Sequence, residues 1–145
     1  MENFAYPAKL KKSTEGGYVV SFPDVPEAMT QGADRAEALA RAIDALETAL
    51  EFYTEGNQKL PRPSKPKRNQ VLVRPPALSC LKLAVYAAMS EGRVRKTELS
   101  RRLGWHLMQV DRLLNLKHAS RIDQVEAALG ALNRRLTIQV QPSAT

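Results

Sequence analysis

Gln109 and Arg112 stand one helical turn apart in the run KTELSRRLGWHLMQVDRLLN, residues 96–115, and both side chains suit the edges of base pairs. A glutamine amide can pair bidentately with adenine, and a guanidinium with guanine. Met108 beside them can touch a thymine methyl. Arg101, Arg102, Lys117, His118 and Arg121 surround this pair and are candidates for phosphate contact, which sets affinity and salt dependence rather than sequence choice. Asp111 would repel a phosphate, so it is read as accepting from a cytosine amino group or pairing with a nearby cation.

Side chains can read bases only if a rigid frame presents them, and the same run has the spacing of a helix-turn-helix. Leu99, Ser100 and Leu103 share one face of a first short helix, and Val110, Leu113 and Leu114 recur on a second. Ser100 is small where the two helices must approach. Gly104 can take the left-handed conformation that ends one helix and starts the next within a few residues. Such a frame offers its second helix to the DNA major groove. Trp105 reads as core rather than as a base-stacking ring. His106 and His118 have no cysteine or carboxylate at ligand spacing, so no metal and no other cofactor is expected.

A second chemistry is testable on the same grounds. Asp24, Glu27 and Asp34 are the carboxylates that could gather a magnesium ion for nuclease work. They fall in a loop and at a helix cap, where each has an ordinary structural use. No nucleophile with a neighbouring base appears either. The chain is expected not to be an enzyme.

Charge divides the 145 residues unevenly. Residues 1–60 carry 6 Lys/Arg against 10 Asp/Glu, a net of −4, while residues 61–145 carry 16 against 5, a net of +11. The basic part contains the helix-turn-helix, as nucleic-acid binding requires, and the acidic part points to a different partner. Cys80 is the one cysteine and lies in the apolar run LSCLKLAVYAAM, where a buried, inert thiol is expected. No stretch reaches the ~18 apolar residues of a membrane span, and the first residues lack a secretory apolar core. The reading is a cytoplasmic protein.

The remaining elements follow from periodicity. Phe4–Lys11 and Tyr18–Phe22 read as a β-hairpin across Gly16-Gly17. Pro23 and Pro26 end regular pairing, leaving a loop or an edge strand around Ala28–Gln31. Asp34 caps a helix, with Glu37 three residues on, and Leu39, Ile43, Leu46, Leu50 and Tyr53 form its apolar stripe. Glu37, Arg41, Asp44, Glu47 and Glu51 fill the opposite face, and Gly56 stops the helix. Residues 61–70, PRPSKPKRNQ, combine three prolines with four basic residues and read as a semi-rigid linker whose charges could also brush DNA phosphates. Val71–Val73 is a short strand. A helix over Ala77–Ser90 turns Leu78, Leu81, Val85, Ala88 and Met89 inward and stops at Gly92. A last helix over Ile122–Leu132 uses Val125, Ala128, Leu129 and Leu132. Leu136–Val140 alternates as a final strand, to pair with Val71–Val73 or with a second chain. The fold class is α+β, in three parts: a sheet-and-helix domain over 1–60, the linker over 61–70, and a mostly helical domain with short flanking strands over 71–145.

The two halves together resemble the HicB antitoxin family. The resemblance rests on GGYVVSFPDVPEAMTQG followed by DRAEALARAIDALETALEFY, with Tyr18, Phe22, Pro23, Asp24, Pro26, Thr30 and Gly32 as its pattern. It continues through the linker into TELSRRLGWHLMQVDRLLNLKHASRIDQVEAALGALNRRLTI. It implies an N-terminal domain like a truncated ribonuclease H fold that binds and blocks a HicA-type toxin, a small basic ribonuclease that cleaves mRNA. Within the quoted pattern the toxin contacts are assigned to Asp24, Glu27, Met29 and Gln31. It implies as well a C-terminal domain that binds operator DNA and represses its own operon, in a homodimer or tetramer. Many relatives have glycine where this chain has Glu27, and some carry a ribbon-helix-helix instead, so the DNA readers are argued here from these residues alone. The competing reading is a stand-alone transcriptional regulator whose N-terminal domain senses a ligand or dimerises.

Overall fold

In the computed structural model, which describes residues 3–143, the element order is β1 (Tyr6–Lys12), β2 (Tyr18–Ser21), β3 (Met29–Gly32), α1 (Arg35–Glu55), β4 (Gln70–Val73), α2 (Ala77–Gly92), α3 (Lys96–Leu103), α4 (Leu107–Leu114) and α5 (Ile122–Ala131). The strands form one antiparallel sheet in the order β3-β2-β1-β4. The expected hairpin is present, with Lys12 opposite Tyr18 and Lys9 opposite Ser21. Of the two readings for the proline-bounded segment, the edge strand is the observed one: β3 pairs with β2, Tyr18 facing Gly32.

Two strand expectations are corrected. The strand after the linker joins the N-terminal sheet, β4 running antiparallel to β1 with Val73 opposite Tyr6. The open edge of β1 needs backbone partners, and β4 supplies them. Leu136–Val140 forms no strand, and Ile138 and Val140 are 81% and 90% exposed. Nor does the linker swing free. Pro61 carbonyl accepts from the Tyr6 hydroxyl at 2.7 Å, and Ser64 donates through its amide and its hydroxyl to Asp24 Oδ2, each at 2.9 Å.

Helix α1 begins as its residues dictate. Asp34 Oδ1 accepts from the Glu37 amide at 2.8 Å, and Glu37 reaches back to the Ala33 amide at 3.4 Å. Its buried stripe is Ala38, Ala42, Leu46, Ala49 and Leu50, with Glu47 beside them. This corrects the expected stripe in part: Leu46 and Leu50 are buried and Leu39 and Tyr53 pack half-buried against the core, but Ile43 is exposed and three alanines join the buried face. Close packing is the reason. A Cβ on Gly32 would collide with the Ala38 amide nitrogen and lie 2.7 Å from Ala38 Cα, so β3 and α1 approach with only hydrogen and methyl groups between them. Leu39 and Ile43 also line an apolar groove beside Val71–Ala77.

Helix α2 serves two cores. Leu83, with Cys80 and Ala84, packs against the sheet-and-α1 cluster around Tyr6, Val20, Phe22, Leu46 and Leu50. Val85, Ala88 and Met89 join Leu99, Val110, Leu113, Val125 and Leu129 in a second cluster. A helix shared in this way is buried on more than one face, which the single-stripe expectation missed. At about 1.5–3 kcal/mol for each fully buried large aliphatic side chain, both clusters contribute to stability. The stop after α2 is also shifted by one residue, since the left-handed position is Arg93, with φ 53°, rather than Gly92.

Candidate nucleic-acid and partner interfaces

Helices α3 and α4, eight residues each, are joined by Gly104, Trp105 and His106. Gly104 has φ 68° and takes the left-handed turn expected of it. Leu99, Val110 and Leu113 are buried between the helices, and Trp105 packs against the same cluster. Ser100 Oγ donates to the Trp105 carbonyl, tying the turn to α3. Leu107, Met108, Gln109, Asp111 and Arg112 all face outward on α4, so the expected reading face exists as an exposed surface.

The candidate readers differ in how free they are. Arg112 pairs with no carboxylate among the described residues, and its guanidinium rests 3.3 Å from Met108 Sδ. Gln109 is engaged, because its Oε1 accepts from the His106 amide at 2.8 Å and holds the first turn of α4. A bidentate pair with adenine needs that oxygen back. Asp111 settles its own ambiguity by pairing with Lys96 across the two helices at 2.9 Å.

The phosphate candidates are more occupied. Arg101 and Arg102 both hold Glu98, and Arg102 Nη1 also donates to the Ala131 carbonyl at 3.1 Å. Arg121 pairs with Asp123 at 2.8 Å, and His118 Nδ1 lies 3.1 Å from Ser120 Oγ. Lys117 is engaged across the molecule, its Nζ 2.7 Å from Glu47 Oε1 on α1. Exposed Arg93 and Arg95, between α2 and α3, have no ion pair among the described residues and were not singled out by sequence. Their position at the entry to the first helix was the available signal.

The largest omission of the sequence reading is a buried polar centre. Lys82 is fully buried, and its Nζ meets the carbonyls of His118 at 2.6 Å, Asn115 at 2.7 Å and Arg112 at 3.1 Å, with Ser120 Oγ at 2.9 Å. An ammonium has three protons, so the long Arg112 contact is shared. The cation sits at the C-terminal end of α4 and in the turn after it, where the negative end of the helix and the carbonyls of residues 112, 115 and 118, which also accept backbone amides, favour it. Burial nevertheless pushes its pKa down to about 8. Nearby, Glu47 was expected on the solvent face of α1 but is only 8% exposed. Its carboxylate accepts from Ser79 Oγ at 2.6 Å and from Lys117. Burial alone would raise the Glu47 carboxyl, but the Lys117 ammonium and the Ser79 hydroxyl outweigh it and hold the pKa below its ordinary value. That stabilisation is therefore fully present above the unfolded value of 4.5 and is lost as pH falls through the lower folded value. Acid-unfolding curves of the wild type and Glu47→Gln should converge below about pH 4.5; curves that stay apart would mean the carboxylate does not lose its partners there.

At the other end of the molecule, the four proposed partner contacts lie on the β2–β3 loop and on β3. Met29 is 64% exposed, and Gln31 faces outward on the edge strand, its carbonyl 3.4 Å from Arg41 Nη1. The Tyr53 hydroxyl lies 2.8 and 2.9 Å from the two carboxylate oxygens of Glu27, and that contact raises the phenol pKa. Phe52, its neighbour in sequence on α1, is 65% exposed. The sequence reading had missed it. Asp24, Glu27 and Asp34 are not brought together, since Ser64, Tyr53 and the Glu37 amide take them separately. Among the described residues no three His, Cys, Asp or Glu side chains could hold a metal ion, and no helix is long and apolar enough to cross a membrane.

The region from β1 to the middle of α2 sets the class. Residues 5–84 match the family model of HicB-like antitoxins of bacterial toxin-antitoxin systems. The chain is 40% identical over 141 residues to Antitoxin HicB 1 of Photorhabdus laumondii, covering 97% of this chain and 90% of that one. It is 41% identical over 133 residues to Antitoxin HicB of Escherichia coli K12, covering 92% and 96%. Antitoxin HicB of Pseudomonas fluorescens is 38% identical over 127 residues, 87% of each chain. The chain belongs to the HicB antitoxin family.

Proposed function

We propose that this chain is the antitoxin and autorepressor of a HicA-type toxin pair. Its N-terminal part, residues 1–60 with β4 added to the sheet, binds the mRNA-cleaving ribonuclease and blocks it through Asp24, Glu27, Met29 and Gln31. Residues 61–70 lead to a C-terminal helix-turn-helix, built on α3 and α4, that binds operator DNA in the cytoplasm. The observation that carries this reading is similarity along nearly the whole chain to proteins named antitoxins. The net charge of −4 on residues 1–60 suits a basic partner, because complementary potentials favour encounter and register. Two DNA-reading units engage two half-sites from a dimer or tetramer, and the exposed alternation of Ile138 and Val140 offers one strand for such pairing.

Arg112 is the principal base reader, with Gln109 and Met108 beside it. Arg112→Ala should weaken binding to the DNA upstream of its own reading frame by about 1–3 kcal/mol and leave random duplex binding nearly unchanged. Equal losses on both duplexes would remove Arg112 from the base-reading set. A size measurement with and without the toxin should give one larger complex on mixing; two unshifted species would contradict toxin binding.

A further inference from the structure

The segment between α4 and α5 has no regular structure, yet it is anchored outside its own helical cluster. Leu116 is 5% exposed and belongs to the sheet-and-α1 core rather than to the α3–α5 core. Lys117 reaches Glu47 on α1, and Lys82 on α2 gathers the carbonyls of residues 112, 115 and 118. Val110 and Leu113 already pack α4 within its cluster, so these further contacts do a different job. They fix the end of α4 against the other half of the molecule. Base-edge contacts tolerate misplacement of only about 0.5 Å and 10–20°, and an eight-residue helix has little stiffness of its own.

We propose that Glu47 and Lys82 are positioning residues for the reading helix, Glu47 acting through Lys117 and Lys82 through the carbonyls of residues 112, 115 and 118, to lock α4 against α1 and α2. The inference rests on the DNA-reading function proposed above. It makes Lys117 a structural tether rather than a phosphate contact, and it gives a polar residue of α1, in the N-terminal half, control over DNA discrimination.

Glu47→Gln in the full chain separates this from simple electrostatics. The change removes one negative charge and frees Lys117, so a purely electrostatic role strengthens binding to every duplex. Positioning instead predicts that discrimination between the upstream duplex and a random duplex of equal length falls by about tenfold. Lys117→Met should reduce discrimination similarly with the salt slope unchanged, and the double variant should be no worse than either single one. Amides of residues 112–120 should exchange about tenfold faster in Glu47→Gln, with the β1–β2 hairpin unaffected. Unchanged discrimination, or a salt slope reduced by about one in Lys117→Met, overturns the proposal. A wild-type chain that binds both duplexes equally overturns the DNA-reading function on which it rests, and amide exchange then still decides whether the segment is anchored.

Discussion

Replacing Lys82 with methionine should lower folding stability by about 3 kcal/mol at neutral pH, among the largest effects of any single side chain here. Methionine matches the length of the lysine stem and fills the same space between the two clusters. The loss therefore comes from the polar end. Three carbonyls and the Ser120 hydroxyl share one ammonium; the carbonyls keep the backbone amides of Asn115, His118 and Ser120 without it, so what is lost is the charge-assisted bonds, worth about 1.5–3 kcal/mol each. Relief from burying the charge offsets part of that sum, which keeps the net below a simple total. The pH dependence has a definite sign. The folded pKa is about 8 and the unfolded value 10.5, so between them the unfolded chain holds the extra proton and wild-type stability rises with pH. The variant lacks this gain, and its deficit widens across that window. Denaturant unfolding of both proteins at pH 7 and pH 10 measures it; a deficit that narrows would mean that the folded state favours the charged form.

Gly32→Ala should be destabilising by a similar amount, about 3 kcal/mol. The added methyl would meet backbone, not a flexible side chain: the Ala38 amide nitrogen, Ala38 Cα at 2.7 Å and the Glu37 carbonyl carbon at 2.9 Å. Only a shift of α1 away from β3 relieves that, and such a shift loosens Ala38, Ala42 and Leu46 together. Gly130→Ala is the control. Its Cβ would meet nothing within 4 Å on α5, so helix propensity alone should stabilise the protein by about 0.5–1 kcal/mol. Thermal unfolding of the pair should therefore move in opposite directions, and a neutral Gly32→Ala would show that the sheet and helix are not in close contact.

Local rules carried much of the fold. The Gly-Gly hairpin, the Asp34 cap and the Gly104 turn each depend on residues a few positions apart, and each appears where its chemistry requires. Partner choice was less legible. Val71–Val73 is a strand by its own composition, but three residues do not say which edge they will meet, and β1 lies some sixty positions upstream. The α1 stripe was read in part: its leucines and Tyr53 meet the core, but Ile43 does not, and the buried alanines were missed because size was taken for burial, whereas close approach at Gly32 selects alanine. Lys82 and Glu47 were hidden for a related reason. A charged residue on an apolar face normally signals the solvent side, and these two are buried because loop 115–120 folds back over them. On the candidate interfaces, the exposed face of α4 followed from its period, while the use of Gln109 as a helix cap and of Lys117 as a tether required coordinates.

The central claim is that this chain neutralises a HicA-type ribonuclease. Its most direct test is RNA cleavage by a purified HicA-type toxin from the same genome, measured with increasing amounts of this protein. Cleavage should fall to background near equimolar ratio. Undiminished cleavage at equimolar ratio and above would contradict the account.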